Sequence, residues 1–377
     1  MLRPRMQSSV LARQSAEAAR HWLFAESVPL WLEHGVDRQR GGFYDALDRE
    51  TLLNCADLKR LRVTARQIYA FTEAALHNVP GARAAVDHGL DFLFGRLRHP
   101  GGGFVHSCDL EGHVIDETRD LYDLAFTIFA LGHASRLGDA QSLQSEALNL
   151  LQFIQRDMRH AAGGYIEALP DRTLRRQNPH MHLLEAALAC WEYMPHPAFH
   201  ELCNEIVDLA ARHFIDPKAG LLFEYYSPQL LPDRSGGRAL VEPGHQFEWI
   251  WLLSEVERLL GLRVEGAASL AAFAIRHGPN AASQLLHGAV YEDGAVAQTS
   301  VRLWPHAEWL RATLVLDAAG STDLALAALM RFLSGPTPGL WFEHWDGDCG
   351  SFRGKAVPAS SLYHIMSAFT ALGHRLG

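Results

Sequence analysis

The sequence lacks the features that mark membrane, disulfide-rich and secreted proteins. No apolar run reaches the ~18 residues needed to cross a bilayer, and no apolar core follows the arginines near the N-terminus, as a secretory signal requires. The five cysteines are scattered and contain no Cys-x-x-Cys pair, which argues against a disulfide framework or a zinc site. We therefore predict a cytoplasmic protein with reduced thiols.

Linkers and charge clusters are also missing. The 377 residues contain no Ser-, Pro- or Gly-rich tract and no long charge run, so we predict one domain over residues 1–377, with a tail of about residues 1–13. The net charge of −9 is spread along the chain, and the short arginine patches lack interleaved aromatic residues. Nucleic acid is therefore not an expected partner, and neither is a membrane.

Histidine and tryptophan, in contrast, are abundant, with 21 and 9 residues. Imidazoles transfer protons near neutral pH, and indole faces stack on the C–H surfaces of sugars. Both suit carbohydrate chemistry, although tryptophan is equally common in protein cores.

A glycine-aromatic phrase recurs six times along the chain, which indicates an internal repeat. Each copy begins with glycine and continues with alternating aromatic and polar residues, as a short β-hairpin or extended loop would. The copies are residues 41–45, 102–106, 163–167, 220–224, 288–292 and 339–343.

Between the phrases, the apolar spacing predicts two helices per unit. The first helix of each pair is amphipathic: 14–34, 83–98, 140–158, 198–214, 265–277 and 321–333. The second is apolar on nearly every side: 60–78, 119–137, 178–194, 244–261, 304–319 and 359–376. Since neither helix can bury its inner face alone, we predict that six units close into an all-α, (α/α)6 barrel with the phrases as β-hairpin loops at one rim. An open α-solenoid has the same period, but these inner helices would leave it no polar groove.

The stretch 242–251 contains a candidate ligand-binding pair at the start of an inner helix. Pro243 and Gly244 supply a turn before an apolar helix, so His245 and Glu248 fall in its first turn and on the same face. An imidazole and a carboxylate placed in this way can bind one small ligand. The alternative is a polar cap in which His245 merely satisfies a backbone carbonyl.

The first turns of all inner helices should meet, because repeated units begin at the same end. Each of these helices carries polar or aromatic candidates near its start: Arg62, Arg66, Tyr69, Asp120, Tyr122, Asn178, His180, His182, Glu185, His245, Glu248, Arg302, Trp304, Glu308, Ser360, Ser361, Tyr363 and His364. Asn178 and Ser360 or Ser361 could instead be helix N-caps. Glu185 and Glu308 could pair with buried arginines such as Arg66.

Metal binding is a further alternative, since His180, His182 and the pair of His245 and Glu248 are suitable ligands. An HExxH motif is absent, however, and residues two apart on a helix point to different faces. We predict that the protein needs no metal and no other cofactor.

Four motifs resemble those of the N-acylglucosamine 2-epimerase superfamily, whose (α/α)6 barrels include acylglucosamine and cellobiose 2-epimerases, mannose isomerases and sulfoquinovose isomerases. They are Thr-Ala-Arg-Gln at 64–67, Asn-Pro-His-Met-His-Leu-Leu-Glu-Ala at 178–186, Pro-Gly-His-Gln-Phe-Glu-Trp at 243–249 and Pro-Ala-Ser-Ser-Leu-Tyr-His at 358–364. The resemblance runs from about residue 20 to the end, with the motifs in the same order. Agreement at four places is far more specific than any single motif.

The resemblance implies roles for individual residues. It identifies His245 and His364 as the catalytic histidines, and Arg66, Asn178, His182 and Glu248 as residues that bind the sugar or orient the histidines. To the substrate-binding residues we add Tyr122 and Trp304, which lie near the starts of inner helices. The segment 355–364 is similar to the mannose and sulfoquinovose isomerase version, whereas epimerases more often follow the histidine with Pro-Arg or Gly-Arg.

We therefore predict a metal-independent isomerase that interconverts D-mannose and D-fructose through a cis-enediolate, with D-lyxose and D-xylulose as an open second pair. His364 would move the carbon-bound proton, and His245 would serve ring opening and the sugar oxygens. Arg66 would stabilise the enediolate, and Glu248 could hold an imidazole in its working tautomer.

Other activities remain as alternatives. A sugar 2-epimerase would use the same two histidines, and a sulfoquinovose isomerase would need a cationic sulfonate site that the sequence does not identify. An inverting glycoside hydrolase would use Glu248 and Glu308, and a non-catalytic sugar-binding protein would need neither histidine. The expected partner is a monosaccharide, and a homodimer is left open.

Overall fold

The protein is a barrel of paired helices, described here by a computed structural model for residues 10–172, 174–216, 218–316 and 319–376. The outer helices are α1 (Val10–His21), which continues through a π-helical turn (Trp22–Ser27) into α2 (Val28–His34), α4 (Ala82–Arg96), α6 (Ala140–Asp157), α8 (Pro197–Leu209) with a π-helical turn (Ala210–Phe214), α10 (Ala267–His277) and α12 (Ala319–Leu333). The inner helices are α3 (Leu61–Leu76), α5 (Leu121–Ala134), α7 (Gln177–Tyr193), α9 (Pro243–Leu260), α11 (Trp304–Val315) and α13 (Leu362–Leu376).

The two sets of helices differ in burial because they differ in apolar pattern. The inner helix α5 buries 12 of its 14 residues, as expected for a helix that is apolar on nearly every side. The outer helix α6 buries only six of its 18 residues, and these lie along one face. The inner helices thus form the core of the barrel.

The inner helices form a closed ring. Each packs against the next in chain order, and α13 returns to α3. Each inner helix also packs against one outer helix: α3 on α4, α5 on α6, α7 on α8, α9 on α10, α11 on α12 and α13 on α1. The predicted (α/α)6 barrel is confirmed, and the open solenoid is wrong.

Short strands lie at the rim where the inner helices begin. They are β1 (Ala46–Asp48), β2 (Leu58–Arg60), β3 (Ser107–Asp109), β4 (Val114–Asp116), β5 (Arg119–Asp120), β6 (Ala168–Leu169), β7 (Arg175–Arg176), β8 (Ile215–Asp216), β9 (Leu221–Leu222), β10 (Tyr225–Tyr226), β11 (Leu240–Val241), β12 (Ala289–Tyr291), β13 (Val296–Gln298), β14 (Val301–Arg302), β15 (His344–Asp346), β16 (Ser351–Arg353) and β17 (Ala356–Pro358).

These strands join neighbouring units. The strand that leads into an inner helix pairs with the strand that follows the glycine phrase of the next unit: β2 with β3, β5 with β6, β7 with β10 and β14 with β15. In the same way β11 pairs with β12, although β12 lies within the phrase at 288–292. β17, before α13, pairs with β1 of the first unit, with Leu47 opposite Val357. Strand pairs therefore close a second ring around the rim.

The predicted helix limits differ from the structure at several places: α11 ends at Val315 rather than at 319, Ala319 belongs to α12, and the starts of some inner helices also differ. Arg60 belongs to β2, residues 119–120 form β5, and Ala359–Ser361 form a 3-10 turn before α13. The strand residues bond to the neighbouring unit, which favours extended backbone over helix. Helix α1 begins at Val10, and residues 1–9 of the predicted tail lie outside the described residues.

The five cysteines are free thiols, of which Cys55 and Cys349 are exposed. Within the described ranges, no helix has both the length and the apolar character needed to cross a membrane.

Candidate active site

Side chains from all six inner helices meet at the rim with the strand ring. Contacts join Arg66 to Tyr122, Tyr122 to His182, His182 to Glu248, His245 to Trp304, Glu308 to His364 and Glu185 to Tyr363. We call the cluster of buried side chains formed by Arg66, His245, Glu248, Trp304 and His364 the rim site.

His245 is held by carboxylates of the rim loops. Its Nδ1 lies 2.7 Å from Glu224 Oε2 and 3.8 Å from Glu242 Oε2. Glu224 is fixed in turn by the Gln177 side-chain amide and by the backbone N–H of Glu242, each at 3.1 Å. Burial alone would lower the pKa of His245, but the charges of Glu224 and Glu242 outweigh it and raise the pKa to about 9. His245 is therefore protonated at neutral pH.

His364 has the opposite environment. Its Nδ1 lies 2.7 Å from Glu308 Oε1, and Glu308 Oε2 accepts a hydrogen bond from Arg311 Nη1 at 2.7 Å. Burial, reinforced by the positive charges of Arg66, His182 and Arg311, holds the pKa of His364 well below its ordinary value. The ring is neutral at neutral pH. Because a carboxylate oxygen accepts, Nδ1 carries the hydrogen and Nε2 keeps a lone pair.

Trp304 contacts both imidazoles. Its ring centroid is 4.8 Å from that of His245 and 5.6 Å from that of His364. The two histidines are therefore separated by no more than the sum of these contacts, which a single hexose can bridge.

Arg66 brings a positive charge to the rim site. Its Nη2 donates to the Tyr122 hydroxyl at 2.6 Å and its Nη1 to the Ser360 carbonyl at 3.3 Å. The guanidinium lies 4.1 Å from the centroid of the Phe126 ring and 4.8 Å from that of Tyr363. Its Nε has no hydrogen-bond partner among the described residues. A buried cation held only by neutral groups can stabilise a negative charge on a ligand.

Glu248 and Asn178 have buried side-chain oxygens without a protein partner among the described residues. Both Glu248 oxygens and Asn178 Oδ1 make no hydrogen bond within the described part of the chain. Burial, reinforced by the charge of Glu308, raises the pKa of Glu248 well above its ordinary value. A neutral carboxyl group can donate and accept hydrogen bonds, which suits a ligand hydroxyl.

His182 belongs to a network that crosses the barrel below the rim site. Its Nδ1 lies 3.0 Å from Glu185 Oε2. Glu185 also accepts from the Tyr363 hydroxyl at 2.6 Å and lies 3.7 Å from Arg311. This network connects α7 to α11 and α13, and so to the residues that hold His364.

Two sequence-based interpretations of carboxylates need correction. Glu248 does not hold the Nδ1 atom of His245 or His364, because these atoms bond Glu224 and Glu308; the imidazole that Glu248 contacts is that of His182, at 3.8 Å. Glu185 and Glu308 do contact a buried arginine, as one interpretation predicted, but the arginine is Arg311 rather than Arg66.

The structure also shows the positions of Asn178 and His180 at the start of α7. Asn178 lies inside α7, which begins at Gln177, so it is not an N-cap. His180 Nε2 accepts from the backbone N–H of Tyr165 at 3.0 Å and supports a glycine phrase. It points away from His182, as the helical spacing predicted.

Glu224 and Arg311 were missed as site residues, although the sequence held a signal for Glu224. The last residue of each phrase is ionisable: Asp45, His106, Glu167, Glu224, Glu292 and Glu343. Five of these six residues bond a side chain in a rim strand, in an inner helix or in the turn before α13. Glu224 is one of the five, and its partner is His245 of the rim site. The repeat register therefore marks residues that orient the helix starts. Nothing comparable marks Arg311, which lies deep inside α11.

Several residues have the geometry to bind a metal ion. Three groups have ligand atoms within 4.8 Å of one another: His182, Glu185 and Glu248; Glu224, Glu242 and His245; and Glu248, Glu308 and His364. Each histidine already gives its Nδ1 to a carboxylate, leaving only Nε2 for an ion.

Comparison with known proteins agrees with this architecture. The family model for N-acylglucosamine 2-epimerase (GlcNAc 2-epimerase) matches residues 41–368. A mannose-6-phosphate isomerase of Rhizobium meliloti (strain 1021) is 32% identical over 93% of this chain and 95% of its own. A D-mannose isomerase of Marinomonas mediterranea is 25% identical over 87% and 90% of the two chains. The solved cellobiose 2-epimerase of Spirochaeta thermophila superposes with a TM-score of 0.85 at 22% identity, covering 98% of both chains.

Proposed function

The chain belongs to the N-acylglucosamine 2-epimerase family, and from this premise we propose that it is an aldose–ketose isomerase that interconverts D-mannose and D-fructose. As a sugar isomerase or epimerase, it must remove a proton from a carbon next to a carbonyl group. The observation that carries the proposal is a protonated and a neutral imidazole that both contact Trp304. Groups whose environments push their pKa values apart divide acid and base roles between them.

His245 is the acid of the proposed mechanism. Its raised pKa keeps a proton on the imidazole, which can pass to the ring oxygen of the pyranose as the C1–O5 bond breaks, while the proton of the anomeric hydroxyl passes to the same imidazole and leaves the C1 carbonyl. Glu224 balances the charge of the imidazolium and keeps its orientation. Glu248 and Asn178 bind sugar hydroxyls through the atoms that lack protein partners.

His364 is the base. The lone pair of Nε2 removes the C2 proton of the open aldose, and the C2 electrons form the C1–C2 double bond of the enediolate with its charge on O1. His245 gives a proton to O1 and takes the proton of the O2 hydroxyl, while His364 returns its proton to C1 to give the ketose. Arg66 stabilises the enediolate oxygens, and Glu308 stabilises the imidazolium that forms. Trp304 provides an apolar face between the two proton-transfer groups.

A sugar panel followed by NMR tests the proposal. D-mannose should give D-fructose, and the reaction in D2O should place deuterium at C1 of fructose when the proton on His364 exchanges with solvent. Glucose as a product without fructose would instead identify a 2-epimerase, the activity named for the Spirochaeta relative.

The panel should include D-mannose 6-phosphate, because the Rhizobium relative is named for that substrate. Apart from Arg66, which the mechanism assigns to the enediolate, three rim arginines already face carboxylates: Arg172 faces Asp120, Arg176 faces Glu167, and Arg302 faces Glu242. Phosphate or sulfonate would have to displace one of them. We therefore expect the neutral sugar to be the better substrate by kcat/KM.

Two observations disfavour the hydrolase alternative. An inverting enzyme needs carboxyl groups roughly 6.5–9.5 Å apart, with room for a water. Glu248 and Glu308 offer oxygens within 4.8 Å of each other, and Glu308 is fully buried against Arg311 and His364.

Metal independence forms part of the proposal. The three carboxylate–histidine groups could bind an ion, but proton transfer by two imidazoles does not require one. Isomerisation should keep its full rate after dialysis against EDTA. A loss that Mn²⁺ or Zn²⁺ restores would contradict this part of the proposal.

A further inference from the structure

A cavity opens at the end of the barrel that lies opposite the rim site. Its volume is about 850 Å³, and known small-molecule sites measure roughly 300–1,000 Å³. All six inner helices line it with residues near their C-terminal ends: Glu73, His133, Tyr193, Arg258, Leu314 and His374. We call it the back cavity.

Charges at the back cavity are already paired with one another. Glu73 accepts from His133 Nδ1 at 3.0 Å and also from Arg136. Arg258 donates to both oxygens of Glu192 at 2.8 Å. A charged ligand would have to break such a pair, whereas a neutral hydroxylated ligand can accept from the guanidinium groups and donate to the carboxylates.

The cavity wall also offers ring faces and unpaired polar atoms. Tyr193 and Trp251 are half-buried, so part of each ring borders the cavity. Arg311 Nε and Thr370 Oγ1 are buried at the wall and have no hydrogen-bond partner among the described residues. Apolar ring faces beside alternating donors and acceptors are what a sugar ring needs, because its C–H faces stack while its hydroxyls hydrogen-bond.

The floor of the back cavity is shared with the network below the rim site. Glu185 and Arg311 line the cavity. The same Glu185 accepts from the Tyr363 hydroxyl, and the same Arg311 bonds Glu308, the partner of His364. A ligand in the back cavity would therefore contact the residues that hold the proposed catalytic base.

We propose that the back cavity is a second binding site for a neutral monosaccharide, separate from the rim site and not itself catalytic. The inference rests on the proposed function only for the choice of a mannose-like ligand. Occupancy should change the activity at the rim site, since both sites depend on Glu185 and Arg311.

A fluorine NMR experiment can observe the two sites separately. The full-length protein is labelled with 5-fluorotryptophan, and the Trp304 and Trp251 resonances are assigned with Trp→Phe variants. Trp304 reports on the rim site and Trp251 on the back cavity. The probe is 1,5-anhydro-D-mannitol, which has no anomeric hydroxyl and so cannot open or isomerise.

Both resonances should shift saturably, with different dissociation constants. Ser254 lines the back cavity, and among the described residues its hydroxyl bonds only the Trp251 carbonyl of its own helix. Ser254→Phe should place a ring in the cavity beside Trp251 and abolish the Trp251 titration while leaving that of Trp304, whereas Ser254→Ala should leave both. If Ser254→Phe does not fold, Tyr193→Ala removes a ring face instead and should weaken only the Trp251 titration.

The outcomes separate this inference from the proposed function. A Trp251 resonance that does not move, or that still titrates in Ser254→Phe, would overturn the inference. A Trp251 titration without one at Trp304 would support the back cavity and count against the proposed sugar substrate at the rim site.

Discussion

Two histidines with the same covalent structure carry different charges at neutral pH because their neighbours differ. Two carboxylates face the Nδ1 side of His245, whereas His364 shares its carboxylate with Arg311 and lies near Arg66. Neither ring can exchange roles with the other without exchanging its surroundings.

Removing either imidazole should abolish catalysis without unfolding the barrel. General acid–base groups contribute about 10²–10⁴-fold to a rate, so His245→Ala and His364→Ala should each lower kcat by at least that range. His113→Ala is the matched control, since its side chain is exposed on a rim hairpin. Steady-state kinetics with circular dichroism checks the prediction. Activity retained in both variants would refute the proposed roles.

The two pKa values also predict the shape of the pH profile. kcat should fall at low pH, where His364 becomes protonated, and that limb should lie below pH 6.5 because its pKa is lowered. It should fall again as His245 loses its proton near pH 9. Glu224→Gln removes the charge that raises the His245 pKa, so the alkaline limb should move to lower pH. An unmoved alkaline limb would show that another group titrates there.

Side chains from the inner helices bond the backbone of the glycine phrases or of the residues just before them. His306 Nε2 accepts from the backbone N–H of Leu286 at 3.0 Å, and its Nδ1 bonds the Arg302 carbonyl at 3.1 Å. In α9, Gln246 performs the same task for the Leu222 backbone. Two different side chains therefore satisfy one repeated backbone requirement.

This equivalence gives a stability prediction. His306→Ala should lower the free energy of unfolding by about 1–3 kcal/mol, because it leaves a buried N–H unpaired. His306→Gln should retain most of the stability at pH 7.5, as Gln246 does naturally. Urea denaturation measures both, and kcat should stay close to wild type. Equal losses in the two variants would indicate a packing role instead.

The same histidine predicts acid sensitivity. Burial lowers the pKa of His306 to about 4, so below its ordinary value of 6.5 the unfolded state binds the proton more readily than the folded state. Its contribution to stability is therefore present above pH 6.5 and is lost as the pH falls toward 4. His306→Gln should weaken this dependence in urea denaturation. A pH dependence unchanged from wild type would assign the acid sensitivity to other groups, such as His180.

The elements were largely predictable because each follows from a local pattern. The apolar spacing predicted every helix pair, and the first-turn position of His245 followed from Pro243 and Gly244. Glu248 was also predicted in the first turn, but it is the sixth residue of α9 and lies in the second turn. The partners of the histidines were not predictable in this way. Glu308 lies on a different helix from His364, so their bond depends on how α11 packs against α13.

The closed barrel depends on contacts between its first and sixth units. Leu47 and Val357 are fully buried and face each other where β1 meets β17. Leu47→Ala should lower the free energy of unfolding by about 2–5 kcal/mol. Its effect should not add simply to that of Val357→Ala, because neighbouring residues couple. The control is Leu53→Ala, whose side chain is 67% exposed. Additive effects would mean that the two strands do not stabilise each other.

The β1–β17 pair also sets a condition on how the protein can be made. Because helices α3 to α12 lie between β1 and β17 in the sequence, a ribosome must synthesise all of them before β1 can find its partner. Until then α3 and α11 each lack the neighbour that α13 supplies, and apolar surface stays open to proteases and to other nascent chains. The barrel therefore needs protection during translation until β17 and α13 have emerged.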